Sequence, residues 1–358
     1  MKIGIIITCF NNASAINACI ESVANIKKLT EGKLSLELFS VVIDDCSTDA
    51  SFQMLGRFFE EDKIDHLLKN DVNQGVSFSR NRGISFCHHT DYITFLDADD
   101  TLNSDFLNVF EKTIWADLVL CNFSITDPLQ KKQKSETFFD RDCELPSCSI
   151  LTYIKQYYKQ PNKYSLFTTC WGKFYRTKAL CCAGAILFNE RLQLCEDTEF
   201  VFRFLSKQTG GVQFVNNSFY EHTVAIGESN RNKATFGFKV DLSKQLSFIS
   251  AVKSSRAYMV KNNFDREELR LLILHCIGAY LIIYSVRSCV KIRSIKDFYY
   301  VANFWKKNCQ RPIFKRAIKT YSSKVAQGNV IIPFLLRNNY YFLAIIVAYF
   351  AFRKRYFY

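Results

Sequence analysis

Three carboxylates within four residues, Asp97, Asp99 and Asp100, end the apolar run Tyr92 to Leu96 in the segment Y-I-T-F-L-D-A-D-D-T. Acids crowded beside a buried strand repel one another, and a divalent cation is the partner that removes that cost. Magnesium or manganese takes oxygen ligands, commonly one or two carboxylates together with substrate phosphates. A second apolar run ends the same way, in V-V-I-D-D-C-S-T-D, with Asp44, Asp45 and Asp49. Ser47 or Thr48 is enough to cap a following helix, so two acids at the strand end exceed capping needs. A carboxylate there can accept a hydrogen bond from a base or ribose hydroxyl. A third group, Glu196 and Asp197, lies in L-C-E-D-T-E-F. Adjacent acids raise each other's proton affinity, and an acid within reach of a hydroxyl can take its proton. Each group also reads as acids complementing a helix N-terminus, and spacing alone leaves both readings open.

These acids need a scaffold that brings strand ends together. Continuous apolar or β-branched runs at Ile3 to Ile7, Glu37 to Ile43, Ile64 to Lys69, Tyr92 to Leu96 and Leu118 to Asn122 predict strands. Helical spacing at Ala13 to Lys27, Thr48 to Glu61, Val76 to Cys87 and Ser104 to Lys112 alternates with them. The alternation predicts an α/β domain with a mainly parallel, Rossmann-like sheet and helices on both faces. Ligands of such sheets bind beyond the carboxyl ends of the strands, which is where the acids fall. Residues 126 to 145, with Lys131, Lys132 and Lys134, are expected to form a solvated loop. From Phe238 on, the pattern predicts helices only: Phe238 to Asn262, Arg266 to Arg287, Ser294 to Asn308, Ile313 to Lys324 and Val330 to Phe352. The expected division is therefore residues 1–237 and an all-helical 238–358.

Charge separates the same two parts. Residues 241–358 hold 21 Lys and Arg against 5 Asp and Glu, whereas residues 1–240 hold 26 against 29. Tyr340 to Phe352 carries no charge and is followed by Arg353, Lys354 and Arg355. Thirteen residues fall short of the roughly 20 needed to span a bilayer, so a helix buried on the protein or an interfacial anchor is expected. The basic balance favours a membrane surface, or else an acceptor-binding module. The N-terminus M-K-I-G-I-I-I-T-C-F lacks signal-peptide character, which predicts a cytoplasmic location. The 14 cysteines are scattered without any C-x-x-C pair and read as reduced thiols rather than a disulfide framework or zinc site.

Four segments in order, I-I-I-T-C-F-N-N, I-D-D-C-S-T-D, N-D-V-N-Q-G-V-S-F-S-R-N-R-G (Asn70 to Gly83) and F-L-D-A-D-D, resemble the successive motifs of family 2 glycosyltransferases with the GT-A fold. The match covers roughly residues 1 to 125. The resemblance implies that Thr8, Phe10 and Asn11 line a nucleotide pocket and that Asp45 contacts the base. It puts Arg80 and Asn81 against the ribose and diphosphate, Asp97 and Ala98 at the ribose, and Asp99, with Asp97, on a Mn2+ or Mg2+ ion. T-C-W-G-K-F-Y-R-T and L-C-E-D-T-E-F resemble the family's second block. That block implies Asp197 as catalytic base, with Glu196, Trp171 and Lys173 near the acceptor. His222 is a departure from the pattern that could complete the metal shell or serve the fold, and Arg231 or Lys233 could offset leaving-group charge.

The implied reaction is an inverting, metal-dependent transfer of a hexose or N-acetylhexosamine from a nucleotide diphosphate, UDP first, to a glycan or lipid-linked hydroxyl at the inner face of the cell membrane. A non-catalytic scaffold would have no use for two acid clusters. A nicotinamide oxidoreductase requires G-x-G-x-x-G after the first strand, where T-C-F-N-N stands instead, and no Walker loop occurs. Nucleic acid is not expected as a partner, since no reader motif accompanies the basic helices. Oligomeric state is left open by the sequence.

Overall fold

The computed structural model describes residues 1–31, 36–112, 114–127, 132–161, 163, 165–181, 184–192, 194–223, 242–289 and 292–356. It divides into two compact units. The first comprises Met1–Pro146, Thr168–Arg191 and Glu196–Arg231; the second comprises Ser147–Phe167, Leu192–Cys195 and Asn232–Tyr358.

In the first unit, β1 (Lys2–Cys9), β2 (Glu37–Asp44), β3 (His66–Lys69) and β4 (Tyr92–Asp97) alternate with α1 (Ile16–Thr30), α2 (Ser51–Glu60) and α3 (Val76–Phe86). Further along lie β5 (Thr101–Leu102), α4 (Asp105–Phe110), β6 (Leu118–Asp127), β7 (Lys132–Glu136) and β8 (Cys143–Glu144). After α5 (Ser147–Lys159), which belongs to the second unit, come β9 (Lys173–Arg176), α6 (Thr177–Cys181), α7 (Glu196–Lys207) and β10 (Val212–Thr223). The sheet order is β3-β2-β1-β4-β9-β6-β10-β5, with β7 added to β6 and β8 to β10. Helices cover both faces.

The strands β3, β2, β1 and β4 are parallel, as are β6 and β10, while β9 runs antiparallel to both neighbours. The sheet is therefore mixed. Its core is the β-branched interior of β1 and β2: Ile3, Ile5, Ile6, Ile7, Val41, Val42 and Ile43 are fully buried. Gly83 lets α3 approach that layer closely, since a Cβ there would collide with Ile6. Register aligns the carboxyl ends: Cys9 sits opposite Asp44, and Thr8 opposite Asp97.

The expected loop at 126 to 145 is in part a hairpin. β6 continues to Asp127 and pairs with β7, Ser124 opposite Ser135. The β7 sequence K-Q-K-S-E has no apolar alternation, so an edge strand of this kind reads as solvated loop.

The second unit is helical: α5, then α8 (Leu242–Lys261), α9 (Arg266–Ser288), α10 (Ile295–Cys309), α11 (Pro312–Thr320), α12 (Ser323–Ala326), α13 (Ile331–Arg337) and α14 (Tyr341–Tyr356). The start of the expected helix at Phe238 lies outside the described residues. The long helix expected at Val330 to Phe352 is broken into α13 and α14, and Asn339 takes the left-handed conformation at the break (φ 65°). Core residues include Phe248, Ile277, Leu281, Trp305, Phe314, Ile332 and Ile345. Trp305 donates its indole N–H to Ser288 Oγ at 2.9 Å, which satisfies the one polar atom it buries. By length and composition α9 could cross a membrane, but over half of that stretch is buried within this unit's own core.

Candidate active site

The acids of the two clusters meet on one guanidinium. Arg80, on α3, is 3% exposed and donates through Nη2 to Asp97 Oδ1 at 2.8 Å and through Nη1 to Asp197 Oδ1 at 2.6 Å. Glu196 Oε1 lies 3.9 Å from Nη1. Asp97 closes β4 and Glu196 and Asp197 open α7, so the fold joins a strand end to a helix N-terminus through a third element. Burial opposes the charge on Arg80, but Asp197, Asp97 and Glu196 more than restore it. The guanidinium carbon stands 5.2 Å from the Phe188 ring centre, and Phe188 stacks on Phe200 at 3.9 Å. This aromatic floor fixes the arginine in place. Its Nε is buried without a partner, so the fork is held by its tips.

Asp197 Oδ2 accepts a long bond from the Cys170 N–H, 3.4 Å, the Cys170 thiol is also hydrogen-bonded to the Asp197 carboxylate, and Thr198 ties the helix start back to the Thr168 carbonyl at 3.1 Å. Partial burial and the neighbouring Asp197 charge push the proton affinity of Glu196 up, against the pull of Arg80.

After β4 the chain turns through Ala98, which is fully buried and contributes packing there. Asp99 projects outward, yet its carboxyl is pushed up to about 6, because the surrounding protein desolvates it and Asp100 and Asp97 repel its charge. Among the described residues no basic side chain forms an ion pair with Asp99. Asp100 is the third acid and is wholly consumed by β10: it accepts from Tyr220 Oη at 2.5 Å, from the Thr223 N–H at 2.8 Å and from His222 Nδ1 at 3.1 Å. His222, expected as a metal ligand or a structural residue, has its Nδ1 on Asp100. Its burial lowers its proton affinity, but the Asp100 bond and charge raise it further, so the net shift is upward and favours the imidazolium beside Asp100.

Among the described residues, no three His, Cys, Asp or Glu side chains converge as metal ligands. A magnesium or manganese ion needs less than that from the protein. Asp97 and Asp99 supply hard oxygens at the end of one strand, and the crowding that raises Asp99 is relieved by a cation, so the residues fit one held by two carboxylates and substrate oxygens.

The nucleotide side is arranged as follows. Phe10 is 44% exposed just past β1, and Thr8 stands on the strand row beside Asp97. Asn11, in the left-handed conformation, accepts from the Thr48 N–H at 2.7 Å on its side-chain oxygen and donates its own N–H to Ser47 Oγ at 2.9 Å, which knits the ends of β1 and β2 together. Asp45 is 4% exposed and accepts from Asn70 Nδ2 (2.7 Å), Gln74 N–H (2.9 Å) and Gly75 N–H (2.8 Å). Its carboxylate thus folds the loop leading into α3.

Three further site candidates make their contacts within the protein. Asn81, expected against the ribose and diphosphate, uses its whole amide on Phe188 and Glu190: Oδ1 accepts from Phe188 N–H at 2.7 Å, and Nδ2 donates to Phe188 O at 3.0 Å and Glu190 Oε1 at 2.8 Å. Trp171, expected to offer a face to a sugar, is 7% exposed, stacked on Tyr220 (4.6 Å, 10°) and His222 (5.2 Å, 18°) and met edge-on by Phe123. Lys173 is 3% exposed with Nζ donating to Thr169 Oγ1 at 3.0 Å and Trp171 O at 3.2 Å, and burial pulls its amine down to about 8. Both build the floor rather than the surface. Phe188, Glu190 and Tyr220 are the contributors that sequence reading misses, since a lone aromatic or acid carries no motif. Arg231 and Lys233 lie outside the described residues.

The arrangement has known counterparts. Residues 4–180 match the model described as Glycosyl transferase family 2. Glycosyltransferase GlyA of Streptococcus pneumoniae is 26% identical over 182 residues, 49% of this chain and 25% of that protein. The cholesterol galactosyltransferase of Borreliella burgdorferi is 26% identical over 233 residues, 63% of this chain and 61% of that one. The chain thus spans less than two thirds of the length of either relative. The crystal structure of S. aureus TarS 1-349 in complex with UDP-GlcNAc superposes with a TM-score of 0.63 at 16% identity, covering 99% of this chain and 92% of that one, which identifies the fold. With motif order, sheet topology, acid constellation and family model in agreement, the chain belongs to glycosyl transferase family 2.

Proposed function

We propose that this glycosyltransferase moves a hexose or N-acetylhexosamine from UDP to a hydroxyl of a glycan or lipid-linked acceptor, with inversion, in the synthesis of a cell-surface polysaccharide or lipooligosaccharide. The observation that carries the reading is the meeting of Asp97 and Asp197 on Arg80. One acid belongs to the donor end of the sheet and the other to the helix that would face an acceptor, and a single buried cation fixes their separation. The UDP-GlcNAc complex named for the TarS structure supports the choice of carrier.

Asp97 and Asp99 would hold the Mn2+ or Mg2+ ion, which when bound supplies electrostatic neutralisation of the diphosphate as charge develops on it. Asp197 turns Oδ2 to the acceptor hydroxyl and takes its proton as that oxygen bonds to the anomeric carbon, while the bond from that carbon to the diphosphate oxygen breaks and UDP departs with the electron pair. Arg80 orients Asp197 through the Nη1 bond. Glu196, with its raised proton affinity, sits beside the base and orients the acceptor. Phe10 and Thr8 frame the base and ribose, while Asp45 holds the loop that shapes that frame. The basic helical unit keeps the chain at the cytoplasmic face of a membrane.

The test is a panel of nucleotide sugars assayed for metal-dependent hydrolysis, with donor affinity measured for the wild type and Asp99→Ala. Hydrolysis of one UDP-sugar in the presence of manganese, and donor binding weakened at least about tenfold in the variant, are expected. Unchanged affinity after Asp99→Ala would remove the metal from the scheme.

A further inference from the structure

We propose that one exposed face of the helical unit, shared by α10 and α14, docks on an anionic lipid bilayer. The proposal rests on the membrane-side reading above and names the surface that achieves it. Among the described residues, twelve of the twenty-one exposed large hydrophobic side chains lie between Ile295 and Phe350. Seven of these, on α10 and α14, are spaced as a face. On α14, Phe342, Ile346 and Phe350 recur every four residues with Leu343 beside them, all 38–65% exposed, while Tyr341, Ala344, Ile345 and Ala348 fill the core on the opposite side. This helix is apolar all round, yet only half of it is covered by protein.

On α10 the exposed arc holds Ile295, Tyr299 and Tyr300 together with Lys296, Lys306 and Lys307, and Val301, Ala302, Trp305 and Cys309 form the buried arc. The Tyr299 ring lies 5.7 Å from that of Phe342, so the two arcs form one patch.

Charge selects the occupant. Residues 291–358 contain fourteen Lys and Arg and one acid, Asp297. That acid accepts from the N–H groups of Arg293 and Ser294 at the start of α10, and among the described residues no carboxylate forms an ion pair with Lys296, Lys306 or Lys307. An isologous contact with a second copy would set these lysines against their equivalents, which is repulsive. Exposed apolar side chains, tyrosines and lysines on one face suit a bilayer interface, where lysine stems can lie against apolar surface and the ammonium groups reach anionic headgroups.

The experiment is co-sedimentation of the full chain with vesicles of phosphatidylcholine alone or mixed with phosphatidylglycerol. Binding to the mixed vesicles, weakened at least about tenfold on phosphatidylcholine alone and by added salt, is expected. Tyr299→Ser/Phe342→Ser/Ile346→Ser should lose at least about tenfold on mixed vesicles. Lys296→Glu/Lys306→Glu/Lys307→Glu should lose the preference for phosphatidylglycerol. A thermal melt checks that each variant is folded. Nucleotide-sugar hydrolysis in vesicle-free buffer, expected at the wild-type level in both, separates failure of docking from failure of the transferase reading. Wild-type protein that stays in the supernatant, or a serine variant that sediments as well as the wild type, overturns the proposal. So does self-association in sedimentation velocity that the serine variant abolishes, since a second copy would then cover the face.

Discussion

Arg80 presents its donors as a flat fork, and two of its nitrogens reach two different carboxylates. A lysine ammonium in its place would keep the charge but not the geometry. Arg80→Lys is therefore expected to leave a folded protein whose kcat falls by roughly a hundredfold, as for loss of a positioned proton acceptor. Arg80→Met, which strands Asp97, Asp197 and Glu196 together, should cost about 3–5 kcal/mol of stability, read as a fall in Tm. A variant Arg80→Met with wild-type Tm would show that the acids do not depend on it. Lys173 gives a second prediction, with its sign set by burial. Its amine is pulled down to about 8 in the folded protein from an ordinary value of 10.5, so the unfolded chain binds more protons between those values. Stability contributed by this group is least at neutral pH and rises as pH increases from about 8. Lys173→Met should flatten that rise, a difference of about 1–3 kcal/mol, in denaturant titrations across the range. At this scale the acids are legible in the sequence because two clusters close apolar runs and the third lies in a block that resembles the family's. The partners of Asn81, Trp171 and Lys173 are not, because a motif gives the type of a side chain and the packing around it decides which way its polar atoms are satisfied.

Among the elements, α3 matters most, since it carries Arg80 and Asn81 and lies on β1 and β2. Its depth is set by Gly83, where a Cβ would press into Ile6 and stand 3.1 Å from Ile43 Cδ1. Gly83→Ala should destabilise the protein by about 1–3 kcal/mol through overpacking and lift Arg80 away from Asp97 and Asp197. Calorimetry and donor titration on the same variant test both halves; an unchanged Tm with full donor affinity would mean that the helix has slack. The β1 to β4 alternation is legible because buried parallel strands are continuous apolar runs. β7 and β9 are not, the first because it is polar and the second because four residues, K-F-Y-R, carry too little periodicity to declare a strand. The antiparallel β9 is inserted between β4 and β6 of the expected mainly parallel sheet, and β5, β7 and β8 also pair antiparallel.

Across the whole molecule, the change in charge and periodicity near residue 240 marks the helical region, but it gives no sign that Ser147–Phe167 joins that unit. Those residues join it through contacts far apart in the chain, such as Tyr157 with Tyr280 at 3.0 Å. The position of β9, between β4 and β6, has a consequence for how the chain is made. While a ribosome is still synthesising residues 98–172, β4 is an unfinished edge, and β6 waits in the same way for β10, which ends at Thr223. At the usual pace of translation that interval lasts roughly 10 s, long enough for chaperones or a neighbouring nascent chain to reach the open strands. Asp97 is made early and Asp197 late, so the nascent protein acquires its chemistry only in the act of closing its sheet.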